Sequence, residues 1–447
     1  MYFGEFTQEY LSRVMENPDF YYKEFQELLA ASEEERTIYH GELVPMTYQG
    51  MYFGKEEVKL FKSIIKTMVS IGKKITAEFL KNPDYRQKFR FDSMTEQLIL
   101  QDPGYSMPVP IGRYDIFYNG GEDFKFCELN TDGSSAMNED RVIGKLLKKT
   151  TIYREMKKEW KISSFSLFKS LVKISLKRYR SIRGRNPRKV AIVDFMDKAT
   201  KEEFLVFQKA YEKEGVSCLI ADPRDFLYED HKLIYCHPES GKKETVDMVY
   251  RRAVTSDFVD RLEECRPFYE AYSAKDFVMF GSFRSQIMHS KMIFKMLFDP
   301  RTREILSDSE NRFVAKHIPM TREILTPEDK EELLAKKDHY IIKPYNAYAS
   351  RGILLGQEWD DAKWKEKIEA LPYNQYIYQE FVRMDKTPFL EDNGKTFTIN
   401  KLGHVLGLFL YDEKFAGCYI RAGHSGIISS ARDYYTIPAF VVEKRDS

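Results

Sequence analysis

One stretch narrows the possible architectures more than any other. From Arg188 to Asp222 an apolar run (RKVAIVDF), a Thr200 to Glu203 spacing of capping-box type, a helical segment closed at Gly215 and a second apolar run (VSCLIAD) follow one another. Two buried strands joined by a helix must lie parallel, because the crossover returns the second strand in the direction of the first. The chain therefore contains a parallel sheet, and its remaining segments have to be arranged around it. At 447 residues the chain exceeds the roughly 250–300 residues at which one hydrophobic core stops growing, so two or three packed domains are expected.

The first hundred residues carry two long helical patterns. The second, from Glu56 to about Arg90, sets Val58, Phe61, Ile64, Ile65, Met68 and Val69 at helical spacing as a core-facing stripe. Arg113 to Tyr118 and Asp123 to Asn130, on either side of Asn119-Gly-Gly-Glu122, predict a β-hairpin. Further strands are expected at Lys232–Cys236, Thr245–Arg251, His339–Lys343, Gly352–Leu355 and Tyr376–Val382. From Thr396 to Tyr411, antiparallel pairs are expected with turns at Gly394 and Gly403.

Lys and Arg total 70 against 69 Asp and Glu, so no global field favours nucleic acid or a membrane surface. Five scattered cysteines without a CxxC pair argue against a disulfide framework or a zinc site and fit a reducing cytoplasm. The first residues lack the pattern of a secretory signal, and charges interrupt every apolar run before it could span a bilayer. A cytoplasmic protein without membrane or nucleic-acid partners is expected.

Side chains alternate across a strand, so Arg113 and Asp115 share one face of the hairpin, as do Glu128 and Asn130. With an even turn centred on Gly120-Gly121, Arg113 lies opposite Glu128 and Asp115 opposite Phe126, and the polar groups converge; a one-residue bulge scatters them. Two carboxylates and an amide carbonyl suit magnesium when phosphate oxygens complete its shell. Charged alternation is also common on solvated sheet faces, so spacing alone leaves both readings open.

Lys343 ends an apolar strand before a small-residue loop, Ala347 to Gly352, from which a lysine and backbone N–H groups can reach polyphosphate. Lys291 lies in a methionine-rich helical pattern, Glu380 in an apolar strand where a buried carboxylate needs a donor, and Arg421 in a Gly-flanked segment fit for a mobile loop. No GxxxxGK[ST] is present, which disfavours a P-loop enzyme.

Taken in order, Arg113-x-Asp115, Glu128-x-Asn130-x-Asp132, a helical lysine, Ile342-Lys343-Pro344, Gln379-Glu380 and Ile420-Arg421 resemble the circularly permuted ATP-grasp enzymes, in particular the synthetase domain of glutathionylspermidine synthase. The resemblance runs from about Asp102 to Ile428 and is most specific between Arg113 and Ser135. It implies an α/β (α+β) ATP-grasp-like fold, circularly permuted, with an inserted Rossmann-like pre-ATP-grasp βαβ domain and an N-terminal helical region. The implied divisions are 1–100 (helical), 101–185 (first ATP-grasp segment with the metal hairpin), 186–275 (the α/β insert) and 276–447 (second ATP-grasp segment).

By position, the resemblance makes Asp115, Glu128 and Asn130 magnesium ligands and Arg113 the γ-phosphate contact. Lys291 and Lys343 become ATP-phosphate lysines, Gly352 part of the phosphate-covering loop, Glu380 the adenosine-side residue and Arg421 the lid arginine, while Asp132 and Ser135 fall in the substrate loop. Two departures stand out: the loop has a single glycine from Tyr345 to Gly352, and Gly133 stands where the family has a substrate-contacting serine. The implied activity is an ATP- and Mg2+-dependent ligase joining a small-molecule or peptide carboxylate to an amine through an acyl phosphate. A non-catalytic ATP-binding module and an ATP-dependent phosphotransferase are the rival expectations.

Overall fold

The structure, a computed structural model, describes residues 2–35, 38–39, 42–345, 352–428 and 434–445. Helices α1 (Tyr2–Glu16) and α2 (Pro18–Glu34) part at Asn17-Pro18, and α3 (Lys55–Lys81) stops at Asn82-Pro83. Proline disfavours the helical region for the residue before it, so the second helical pattern, expected to run to about Arg90, is cut short at Pro83. Phe61, Ile64, Ile65 and Met68 are buried along α3 and join Tyr114, Ile116, Leu408 and Ile420 of the largest sheet in one hydrophobic cluster.

That sheet starts with the expected hairpin, β1 (Ile111–Gly120) and β2 (Asp123–Asn130). Gly120 (φ 114°) and Gly121 (φ 55°) take the positive φ its tip requires. Gly120 pairs with Asp123, Tyr118 with Phe124, Ile116 with Phe126, Asp115 with Glu128 and Arg113 with Asn130. Asn119 is thus an extra residue on β1 and Cys127 an extra residue on β2. Each bulge reverses the alternation of everything beyond it, and two bulges on opposite strands cancel. The expected pairs Arg113 with Glu128 and Asp115 with Phe126 are corrected for another reason: the tip turns on Gly121-Glu122, not on Gly120-Gly121, which moves the pairing by two residues. The four polar side chains still share a face, because the bulge that would scatter them is compensated by a second.

After the hairpin come α4 (Met137–Leu147), α5 (Leu167–Arg183), β3 (Lys189–Val193), α6 (Lys201–Lys213), β4 (Ser217–Ala221), β5 (Met248–Arg251) and β6 (Val278–Phe280). The strands form a parallel sheet of order β6-β5-β3-β4, with α6 crossing from β3 to β4 as the βαβ pattern requires. Two local expectations are corrected. The Thr200 side chain caps nothing; Glu203 instead accepts the backbone N–H of Met137 at 2.8 Å and of Asn138 at 3.2 Å and pairs with Arg252, since a buried carboxylate is best held by several strong donors. The run Thr245–Arg251 breaks at Asp247: Lys243–Val246 pairs antiparallel with Lys232–Cys236, and only β5 enters the parallel sheet.

The chain then builds a smaller antiparallel sheet from β7 (Thr321–Glu323), β8 (Tyr340–Pro344), β9 (Leu354–Leu355) and β10 (Tyr376–Glu380), in the order β7-β10-β8-β9. Ile342 and Tyr378 face a cluster with Leu333 and Trp364, so alternation turns Lys343 and Gln379 to the other face. Next come β11 (Thr387–Asp392), β12 (Phe397–Tyr411), β13 (Lys414–Gly423) and β14 (Tyr435–Ile437). They complete the large sheet as β14-β13-β12-β1-β2, with β11 paired to the first part of β12. Gly394 (φ 84°) supplies a turn as expected, but Gly403 lies inside β12 opposite Gly423 and turns nothing. Strands from opposite halves of the chain thus lie side by side, in a mixed α/β protein of several sheets. Among the described residues, no helix is long and apolar enough to cross a membrane.

Candidate functional site

On the face of the large sheet away from α3, β1 pairs with β12 and β12 with β13. This brings Arg113 and Asp115 next to Arg421. The Arg113 guanidinium grips the Asp115 carboxylate at both ends, Nε to Oδ1 at 2.6 Å and Nη2 to Oδ2 at 2.9 Å, and Arg421 Nη2 donates to Oδ2 at 3.0 Å. Asn130 Nδ2 donates to Asp115 Oδ2 at 3.1 Å and to Glu128 Oε1 at 2.9 Å, so one amide ties both carboxylates together. Arg421 Nη2 also lies 3.8 Å from Glu128 Oε1. Asp115 is 1% exposed, whereas Glu128 keeps 42% of its side chain open to solvent. The cluster is an inner ion pair with one carboxylate on a cleft.

Two residues that sequence reasoning passed over build this geometry. Gly407 of β12 pairs with Asp115 on one side and Tyr419 on the other, and a Cβ there would sit 2.6 Å from Arg113 Cδ and 2.9 Å from Asp115 Oδ1. Only glycine leaves room for the Arg113 side chain to lie across the strand. Gln379 of β10 accepts Lys343 Nζ at 2.8 Å and donates to Thr321 Oγ1 at 2.8 Å, holding the buried lysine away from the small sheet's core. Its signal was there in the strand's alternation, which places residue 379, not 380, on the face of Lys343.

Electrostatics link the two sheets. Burial alone would raise the Glu128 carboxyl, but Arg421, the Asn130 amide, Arg113 and Lys343 together hold it at about 2. Lys291, at the start of the short helix Met292–Met296, is lowered to about 8 by burial and by the charge of Lys343, against the pull of Glu128. Arg113 is raised, Asp115 outweighing the burial that disfavours its charge. Two carboxylates therefore share one region with the four cations Arg113, Arg421, Lys291 and Lys343. Among the described residues no three His, Cys, Asp or Glu side chains converge as a metal cage. A cation here would draw on Asp115, Glu128 and the Asn130 carbonyl, with ligand oxygens completing its shell.

The other expected site residues are placed differently. Glu380 is exposed rather than buried, because it is the last residue of β10, opposite Tyr340 at the start of β8, and its Oε2 accepts the Met320 N–H at 3.1 Å. Arg421 sits within β13, paired with Val405 and Thr436, and not in a loop. Asp132 is consumed inside the protein: Arg251 Nη1 lies 2.7 Å from it, and the N–H and Oγ1 of Thr255 donate to it at 2.7 Å and 3.0 Å. Ser135 meets the cluster only through its backbone oxygen, 3.2 Å from Arg113 Nη1. Gly133 (φ 63°) has to be glycine for packing, since a Cβ would meet the Arg252 carbonyl at 2.7 Å. Of the expected phosphate-covering loop, Gly352 has φ 68°, while residues 346–351 lie outside the described residues.

No family model matches the chain. It is similar to the "Putative glutamate--cysteine ligase 2-2" of Frankia casuarinae, with 22% identity over 200 residues, 43% of this chain and 22% of the relative, so the match spans about a fifth of that protein's length. Among solved structures it is similar to a "Putative gamma-glutamylcysteine synthetase" from Methylobacillus flagellatus (11% identity, 80% of this chain and 82% of that one, TM-score 0.39). It is similar also to the ATP-grasp ligase PsnB, in a complex with a minimal precursor, Mg and ADP (11% identity, 56% and 88%, TM-score 0.23). A third is D-alanyl-alanine synthetase A from Vibrio cholerae (9% identity, 57% and 88%, TM-score 0.25).

Proposed function

We propose that the chain is an ATP- and Mg2+-dependent carboxylate–amine ligase of circularly permuted ATP-grasp type, related to the glutathionylspermidine synthase synthetase domain. The observation that carries the reading is the charge count on one cleft: Arg113, Arg421, Lys291 and Lys343 around Asp115 and Glu128. That surplus of positive charge matches a polyphosphate. In this reading 101–185 and 276–447 form the nucleotide site, 186–275 the α/β part between them and 1–100 a helical region, and the hairpin precedes the lysine strand as permutation requires.

The donor set fits a hard divalent cation. Asn130 now turns its nitrogen to both carboxylates, and exchanging the near-isosteric ends of the amide would present an oxygen instead. Asp115, Glu128 and Asn130 would hold magnesium, which when bound neutralises phosphate charge. The acceptor carboxylate attacks the γ-phosphorus, the bond to ADP breaks, and an acyl phosphate results. An amine then attacks the acyl carbon and phosphate leaves. Arg113 and Arg421 exchange their hold on Asp115 for phosphate oxygens, Lys343 leaves Gln379 to do the same, and all four cations spread the charge of the transferring group. The reading is supported by the similarity to a relative whose name is "Putative glutamate--cysteine ligase 2-2".

The test is ADP release by the purified chain with Mg2+ across a panel of carboxylic acids and peptides, each with and without amines. Release that needs both an acid and an amine, with free phosphate and an amide as products, is expected. ATP binding with no stimulated release, or a stable phosphorylated product, would overturn the ligase reading.

Lys291 gives this site a pH signature. A bound polyphosphate favours its charged form, so ATP binding at pH 8.5 takes up protons, and affinity falls as pH rises through about 8. Calorimetry of ATP binding in two buffers of different ionisation enthalpy reads the uptake directly, and Lys291→Arg should remove it. Zero uptake in the native protein would break the assignment of Lys291 to phosphate. In the free protein the charged, buried Lys291 costs stability below about pH 8, and that cost is relieved as pH rises towards 10.5.

A further inference from the structure

A cavity of about 700 Å³ opens between α4, the start of α5, α6 and residues 438–440. It shares no lining residue with the cleft of Asp115 and Glu128. Its volume lies within the roughly 300–1,000 Å³ of small-molecule sites. Phe168, Phe440, Leu167 and Val172 make an apolar floor, while Arg141, Lys148, Lys169, Lys209 and Lys213 stand around it. Arg141 lies 6.0 Å from the centre of the Phe168 ring and Lys148 Nζ 5.7 Å from that of Phe440, so both cations are laid over aromatic surface.

Among the described residues these cations make no salt bridge, although Glu35 acts on Arg141 and Asp140 on Lys148 from farther off. Arg141 donates to Asn138 Oδ1 at 3.1 Å and 2.8 Å, and Lys148 Nζ to Ser164 Oγ at 2.6 Å. Among the described residues none of the five has a carboxylate within salt-bridge distance, although the protein pairs many of its surface cations. The wall has two acids. Glu214 is drawn to Lys173, 3.9 Å away. Asp140 is buried and accepts the Ala439 N–H at 3.2 Å; burial pushes it up to about 7 against the pull of Lys148, so at neutral pH it offsets only part of the positive charge.

A rim of five cations facing two acids, over an aromatic floor, is the complement of one kind of molecule. We infer that this cavity is a second ligand site, taking an organic anion that carries a carboxylate, sulfonate or phosphate on an apolar body. The anionic head meets Arg141, Lys148 and Lys209, and the body lies on Phe168 and Phe440. The site does not depend on the ligase reading, since none of these residues belongs to the nucleotide cleft.

Anilinonaphthalene sulfonate, an aromatic body with one fixed negative charge, is the probe, and phenylnaphthylamine its uncharged counterpart. Fluorescence titration of the full chain should give one saturable site for the sulfonate and at least about tenfold weaker binding of the neutral compound. Lys148→Met and Lys209→Met should each weaken sulfonate binding by about fivefold with unchanged melting temperature. Ala210→Trp, which fills the cavity from α6, should abolish binding. Equal binding of the two probes, affinity unchanged by all three variants, or no saturable binding at all would overturn the proposal.

Discussion

Glu128→Gln is expected to lower ATP turnover by about 10²- to 10³-fold while the protein stays folded. Glu128 is the member of the cluster that faces the cleft, with 42% of its side chain exposed, so removing its charge leaves the contacts of Arg113 and Arg421 with Asp115 in place. Asp115→Asn should lose as much activity and also cost about 3 kcal/mol of stability, because Arg113 and Arg421 both close on a carboxylate that is 1% exposed. Steady-state ADP release and thermal melting on both variants separate the two roles. Near-native turnover in Glu128→Gln would remove that carboxylate from the nucleotide site. Equal melting temperatures for the two variants would contradict the inner-pair geometry.

Gly407→Ala is expected to be as damaging without removing any charged group. Its Cβ would sit 2.6 Å from Arg113 Cδ and 2.8 Å from Arg113 Nε, and Arg113 cannot swing clear. Its guanidinium is fixed on Asp115 and lies over Tyr419, 5.1 Å from the ring centre. A loss of about 1–3 kcal/mol and of about 10²-fold in turnover should follow. Gly403→Ala in the same strand is the control, since its Cβ would meet only the movable end of Met384 at 3.2 Å. If both variants melt and turn over alike, the close approach at Gly407 has no special cost.

The parts of this fold that were legible in the sequence are those where local chemistry decides. Asn119-Gly-Gly placed the hairpin tip, and the two apolar runs about α6 placed the parallel pair, because turn residues and burial patterns act over a few positions. What escaped was set by partners distant in sequence. Glu203 gave up its cap for the N–H groups of Met137 and Asn138. Gln379 and Gly407 matter only through Lys343 and Arg113, which no spacing along the chain reveals. The cluster shares a face as alternation predicts, but through other pairs, since Asn119-Gly-Gly-Glu leaves open which two residues turn, and the tip falls one residue later than expected.

That pair of bulges has a consequence for how such a chain can change. Losing Asn119, or Cys127, takes the kink away with the residue and leaves Asp115 opposite Glu128. Losing any other single position between the two acids while both kinks stay shifts one strand by a residue and sets the acids on opposite sides of the sheet. The two surplus positions are therefore the ribbon's spare length, the places where it can shorten without parting its charges.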